Sequence, residues 1–365
     1  MKVLFLTNIP SPYRVDFFNE LGKLCDLTVF FEKDSSAERD DSWKNYKTEN
    51  FKSIILKGKS IGVASACCPS VVKLLKKNRY DKIVVCNYSD PTGWLAIHYL
   101  RRYKIPYWIE GDGAFAKNGI GIKERLKKFF LKGAQGYFST GKEHDNYYIT
   151  YGVGPEKIYR YPFTSVLLSG VLDEVPNREE KDCLKEELGV GKKKMVLSVG
   201  QFIYRKGFDI LLLAARNVLP DTEFYIVGGE ATLEYIELKE KYQLNNVHFV
   251  GFKDKQQLEK YYKAADLFVL PTREDIWGLV INEAMAKGLP IISTNRCIAA
   301  TELVLEGENG YIVAVEDYKL LSEKINLVLC DLDRAEKMGR CSLEIIKSFT
   351  IEKMAQRHIE VFENE

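Results

Sequence analysis

No run of about 18 apolar residues occurs in the 365-residue chain, so no segment reads as a membrane-spanning helix. Histidine is scarce. The four residues at 98, 144, 248 and 358 are too scattered to form a spaced metal-ligand set. The eight cysteines show no paired framework, and Cys67 and Cys68 are adjacent rather than spaced. They read as reduced thiols, several of them inside apolar runs, and place the chain in the cytoplasm. The apolar start at 1–7 is short and passes directly into Asn8 and Pro10, which suits a strand better than a signal peptide. No G-x-G-x-x-G follows a predicted strand, and no G-x-S-x-G occurs. Gly58-Lys59-Ser60 resembles the end of a P-loop, but Ser53 stands where its first glycine should be. Dinucleotide redox chemistry, serine hydrolysis and P-loop phosphoryl transfer are therefore not expected.

Neither sign of charge is scarce, but the two are unevenly placed. The net charge is +2, yet residues 1–170 hold 27 Lys and Arg against 17 Asp and Glu, and the remainder holds 26 against 34. The basic half is a candidate for an anionic surface. Within it, 122-IKERLKKFFLK-132 reads as a short basic helix carrying Phe129 and Phe130, a pattern that suits a membrane face.

Apolar runs suited to strands recur at 3–7, 27–31, 53–56, 82–87, 106–109 and 136–139. Helical patterns lie at 15–24, 70–78, 92–102, 123–132 and 142–151, and 33–52 reads as a long polar surface loop. A charged stretch bearing proline and glycine, 171–194, reads as a linker with one short helix. A second alternating series follows, with strands at 195–199, 223–227, 247–250, 267–270, 290–293 and 310–313 and closing helices at 317–339 and 351–364. Alternation of this kind predicts an α/β fold with two doubly wound, Rossmann-like domains, at 1–170 and 195–344.

The most informative stretch is 267-LFVLPTREDIWGLVINEAMAKGLPIIST-294. A buried strand leads into a charged loop, and Gly278 opens an amphipathic helix ending near Lys287-Gly288. Ligands of open parallel sheets sit beyond the carboxyl ends of the strands, against helix N-termini that favour anions. Asp275 in the loop and Glu283 on the helix, with seven residues between them, are placed to face one crevice. A second anion site is expected at 198-SVGQFIYRKGFD-209, where strand, glycine, basic loop and helix follow one another. Arg205 offers a planar fork there and Lys206 a point charge. Glycines at 228–229 and at 251 end two further strands and allow a ligand close to the backbone.

Asp275-x7-Glu283 followed by Ala284-Met285-Ala286-Lys287-Gly288-Leu289-Pro290 resembles the E-x7-E signature of the retaining glycosyltransferases of family 4, which have the GT-B fold. The chain departs from that signature at the first acid, which is Asp275 at the signature spacing or Glu274 one residue earlier. The resemblance implies two Rossmann-like domains facing across a cleft, with a C-terminal helix at 345–365 returning to the first. It implies a UDP- or GDP-linked sugar as donor, a glycan or lipid-linked hydroxyl acceptor and no metal or other cofactor. In its terms Arg205 and Lys206 meet the diphosphate, Glu283 the ribose and Asp275 the transferred sugar. Gln201 stands where the family usually has arginine. Gly228, Phe252, Thr272, Glu274, Ile276, Trp277, Gly278 and Leu279 complete the expected donor site, with Trp277 as a pocket wall. In the first domain, Tyr13 and Arg14 after strand one, and Glu110 and Asp112 in 108-WIEGDGAF-115, are expected to meet acceptor or reacting groups. Many family members carry a histidine near that last loop; this sequence has none there.

The expected activity is transfer of a hexosyl unit with retained configuration, in surface polysaccharide or lipid-linked glycan synthesis. It would take place in the cytoplasm or at the inner membrane face, with no nucleic-acid partner. Two alternatives stand beside it: a sugar-nucleotide epimerase of the same fold, and a non-catalytic two-domain ligand-binding protein.

Overall fold

The computed structural model describes residues 1–34, 47–61, 65–116, 119 and 121–365. Most of the loop expected at 33–52 lies outside them. The chain divides into two compact units, Met1–Leu167 with Thr350–Glu365, and Leu168–Phe349. No described helix is long and apolar enough to cross a membrane.

The first unit runs β1 (Lys2–Thr7), α1 (Pro12–Gly22), β2 (Asp26–Phe31), β3 (Lys52–Ile55), β4 (Lys59–Ser60), β5 (Ala66–Cys67), α2 (Ser70–Lys77), β6 (Lys82–Val85), α3 (Pro91–Arg102), β7 (Trp108–Glu110), α4 (Ile122–Leu131), β8 (Gly136–Ser139), α5 (Lys142–Thr150) and β9 (Ile158–Arg160). Its main sheet is parallel, in the order β3-β2-β1-β6-β7-β8-β9. Strands such as β1 and β2 are buried after their first residue, because helices cover both faces of a parallel sheet. That double burial explains their unbroken apolar runs. The order reverses between β1 and β6, so the loops after these strands flank a crevice at the carboxyl edge. The small β4–β5 hairpin and the short edge strand β9 were not apparent from periodicity, since two or three residues are too few to show a period.

The C-terminal helix, Ile351–Asn364, belongs to this unit and packs on α1. Thr350 caps it, and the ring of His358 stacks on Phe138 with centroids 4.2 Å apart.

The second unit runs α6 (Arg178–Glu187), β10 (Lys194–Val199), α7 (Phe208–Ala215), β11 (Thr222–Val227), α8 (Leu233–Lys241), β12 (Val247–Val250), α9 (Lys255–Ala264), β13 (Leu267–Leu270), α10 (Leu279–Met285), β14 (Ile291–Thr294), α11 (Ile298–Leu303), β15 (Gly310–Val313), α12 (Tyr318–Leu329) and α13 (Leu332–Ile346); the C-terminal helix is then α14. All strand pairs are parallel, in the order β12-β11-β10-β13-β14-β15, so the switch point falls between β10 and β13.

Two expectations are corrected here. The stretch 171–194, expected to be a linker with one short helix, belongs to the second unit. It contains α6, closed by an Asn177–Glu180 capping box, packed on α9 and pinned by a buried Lys185–Asp266 ion pair at 2.6 Å. Its surface charges masked that role. The helix expected at 317–339 is two helices, because Asp331 leaves helical geometry and caps α13 through the Arg334 N–H.

Candidate functional site

The loops after β10 and β13 meet at the switch point of the second unit. Gly207 ends the short turn Tyr204–Lys206 with φ 67°, and a Cβ there would lie 2.1 Å from the Pro271 carbonyl oxygen. Only glycine permits that approach. Across it, the Arg205 carbonyl accepts from the Thr272 hydroxyl and from the Arg273 N–H, both at 2.8 Å. Thr272 is fully buried. It ties loops together rather than facing a ligand with its side chain.

Beyond Thr272 the chain bends at Arg273 and again at Ile276 and Trp277, on either side of a single bridge at Asp275. Asp275 pairs with Cys297 as a parallel bridge. Its N–H donates to the Arg296 carbonyl at 2.8 Å, its carbonyl accepts from Ile298, and the Trp277 carbonyl accepts from Ala299. These bonds anchor the charged loop after β13 to the start of α11. Asp275 faces Lys206 Nζ at 2.6 Å and Arg205 Nη1 at 3.3 Å. Glu274 faces Arg296 at 2.6 Å, and Arg205 reaches the Glu274 backbone carbonyl at 2.8 Å. The structure therefore brings Arg205, Lys206 and Asp275 together and turns the Glu274 carboxylate elsewhere.

Gly278 caps α10 at φ 98°, where a Cβ would press on Cys297 Sγ at 2.6 Å. The helix it opens ends at Met285, two residues before the expected end. Glu283 is half-buried on α10 and accepts from the Tyr262 hydroxyl at 3.0 Å. Burial, followed by that carboxylate, raises the Tyr262 phenol well above its ordinary pKa. Trp277 departs from the expected pocket wall. It is 2% exposed and donates its indole N–H to Asn282, so the ring is core packing beneath the loop. Ile276 and Leu279 flank it, exposed and half-buried respectively. Gln201 and Phe252 are exposed and Gly228 is half-buried, each on a loop beyond β10, β12 or β11.

In the first unit, Arg14 and Glu110 are 4% and 0% exposed and are ion-paired with each other. The expectation that they meet an acceptor is corrected: their polar atoms are spent internally. Glu110 also faces His358 Nε2 at 3.0 Å and accepts from the Tyr161 hydroxyl. Burial alone would raise the Glu110 pKa, but Arg14 and His358 outweigh it and hold the carboxyl down at about 2. Asp112 is about a third exposed; Arg14 and the Tyr13 hydroxyl hold it, the latter at 2.6 Å. Tyr13 is thereby a support for Asp112. A histidine does lie beside this loop in space. His144 of α5 lies against Gly111, whose Cβ, if present, would be 3.3 Å from Nε2. Burial pushes its pKa down to about 3, so the ring is neutral.

Arg273, Arg296, Tyr262 and His144 escaped the sequence reading. Arg273 lay within the motif itself, and its forked side chain was the available signal. The others lie 21 or more residues away from the acids or loop their side chains touch, and no local pattern marks them.

The family model for "Glycosyl transferases group 1" matches residues 180–342. Spore coat protein SA of Bacillus subtilis (strain 168) is 32% identical over 318 residues, covering 79% of this chain and 80% of that protein. The chain belongs to the group 1 glycosyltransferases. Another relative, the N,N'-diacetylbacillosaminyl-diphospho-undecaprenol alpha-1,3-N-acetylgalactosaminyltransferase of Campylobacter jejuni, is 23% identical over 80% of this chain and 79% of that protein. The solved structure of Anabaena Alr3699/HepE in complex with UDP superposes with a TM-score of 0.82, 19% identity and full coverage of both chains. The fold of this glycosyltransferase is accordingly GT-B, with a parallel-sheet, Rossmann-like architecture in each half.

Proposed function

We propose that this glycosyltransferase moves a hexosyl unit from a UDP- or GDP-linked sugar to a hydroxyl acceptor with retained anomeric configuration. The observation that carries the reading is the convergence of Arg205, Lys206 and Asp275 at the β10/β13 switch point, with Glu283 on the helix that follows. In this reading the bond from the anomeric carbon to the phosphate oxygen breaks, and negative charge grows on the diphosphate. Arg205 and Lys206 stabilise that charge as preorganised cations, and no metal is required. The acceptor oxygen attacks from the face the diphosphate leaves, and its proton passes to the departing phosphate. Glu283 accepts from the ribose hydroxyls and Asp275 from the transferred sugar. The second unit is the donor domain, and the first holds the acceptor, near Asp112.

The Campylobacter relative's name specifies a lipid-linked acceptor, which favours the same class here. The outward face of α4 favours a peripheral position at the cytoplasmic membrane face. Ile122 and Phe129 are 78% and 59% exposed, with Leu126 between them and Arg125 and Lys128 beside them. Such a stripe suits an anionic bilayer surface.

The test begins with a thermal-shift screen of UDP- and GDP-sugars, since a ligand of the folded state raises the melting temperature. The stabilising donor is then incubated with polyprenyl-diphosphate-linked sugars, and the product's anomeric configuration is read by NMR. Inverted product, or activity abolished by EDTA, would overturn the proposed chemistry. Release of free sugar without acceptor would favour the epimerase.

A further inference from the structure

Arg273 sits at the centre of the second unit's site, yet its side chain is only 11% exposed. Nη1 donates to the Tyr204 carbonyl at 2.7 Å and to Asp209 Oδ1 at 2.8 Å. Nη2 donates to Asp209 Oδ2 at 2.6 Å and to Glu316 Oε2 at 3.2 Å, and Nε donates to Glu316 Oε1. The guanidinium carbon stands 3.9 Å from the centroid of the Tyr204 ring, and the backbone N–H of Arg273 holds the Arg205 carbonyl. One residue of the β13 loop therefore binds the turn after β10, the start of α7 and the loop after β15. Glu316 takes φ 69° there, a left-handed conformation unusual for glutamate. With every guanidinium nitrogen engaged and two carboxylates facing it, Arg273 is spent on protein groups and is not itself an anion ligand.

We infer that Arg273 is a positioning residue for the donor diphosphate. Its fork fixes the Tyr204–Lys206 turn, and that turn aims Arg205 and Lys206 at the phosphates. The inference rests on the reading of those two cations as diphosphate ligands. The planar fork is essential to it. A lysine would keep the charge but could not bridge Tyr204, Asp209 and Glu316 together.

The test compares nucleoside diphosphate with monophosphate binding by calorimetry, for UDP and UMP and for GDP and GMP. The base that binds more tightly is used throughout. The affinity ratio of di- to monophosphate reports the grip on the second phosphate, and loss of fold would not change it selectively. Arg273→Lys is expected to lower that ratio by about 10-fold, with monophosphate affinity changed less than about threefold, because small misplacements of a binding group carry penalties of this order. If Arg273→Lys does not fold, Asp209→Asn releases the fork from its other end and is read the same way. Lys206→Ala is the reference variant. A ratio unchanged in Lys206→Ala overturns the reading of the cations and the inference with it. A ratio lost in Lys206→Ala but kept in Arg273→Lys or Asp209→Asn overturns the inference alone.

Discussion

Lys206 Nζ lies 2.6 Å from Asp275 Oδ2, with both side chains about nine-tenths buried. The cation proposed for the phosphate and the acid proposed for the sugar already hold one another across the switch point. Each pre-sets the other's rotamer, so in the proposed mechanism the acid has two tasks: to accept from the sugar and to orient the cation.

Asp275→Asn keeps the size of the side chain and removes the charge that both tasks use. Turnover is expected to fall about 10–100-fold, at about 1.4 kcal/mol of transition-state stabilisation per factor of ten. Glu274→Gln breaks only a half-exposed pair with Arg296 and is expected to change turnover less than about threefold. Steady-state kinetics of the two variants decide the matter. Reversed magnitudes would make Glu274 the first acid.

Glu283→Ala removes a half-buried, charge-assisted contact. Donor binding should weaken by about 2–3 kcal/mol, with the fold intact. Tyr262→Phe removes the hydroxyl that donates to Glu283 and should cost only about 1 kcal/mol. Calorimetry with the stabilising donor measures both, and wild-type affinity in Glu283→Ala would refute its donor role.

Acid stability should report on Glu110. Its folded pKa, about 2, lies below its ordinary value of 4.5, so the folded state binds fewer protons in that window. Its contribution is present above pH 4.5 and is lost as pH falls towards 2. Glu110→Gln should therefore be destabilised near neutral pH by about 1–3 kcal/mol, since buried Arg14 loses one of its two carboxylates and keeps Asp112. It should also show a flatter decline on acidification. Glu32 works in the opposite direction. Burial, then the nearby Asp90 carboxylate, raises its pKa, so its contribution is full at low pH and lost as pH rises through that raised value. Glu32→Gln should raise the melting temperature at pH 8, because the amide is neutral without taking up a proton on folding. Melting curves between pH 3 and 9 test both variants.

Flotation with vesicles of phosphatidylglycerol and phosphatidylcholine tests the α4 face. Binding at low salt should weaken as salt screens the lysines, and Phe129→Ser should reduce it at every salt concentration. Absence of flotation at low salt would leave the acceptor to be sought among soluble glycans.

The alternation of apolar runs with helical patterns was sufficient to read two parallel-sheet units, because strands buried on both faces have nowhere to place polar residues. The meeting of Arg205, Lys206 and Asp275 at one switch point was legible because strand ends and helix starts fix where a short motif sits on such a sheet. Burial and partnership were not legible, since both depend on residues distant in sequence. Arg14 and Glu110 looked like ligand contacts until His358, 248 positions after Glu110, closed over the carboxylate. Trp277 looked like a pocket wall until Asn282 took its indole N–H. The choice between Asp275 and Glu274 was open in one dimension. The structure pairs Asp275 with Lys206 and Glu274 with Arg296, and neither pairing could be read locally because both partners lie far away in sequence.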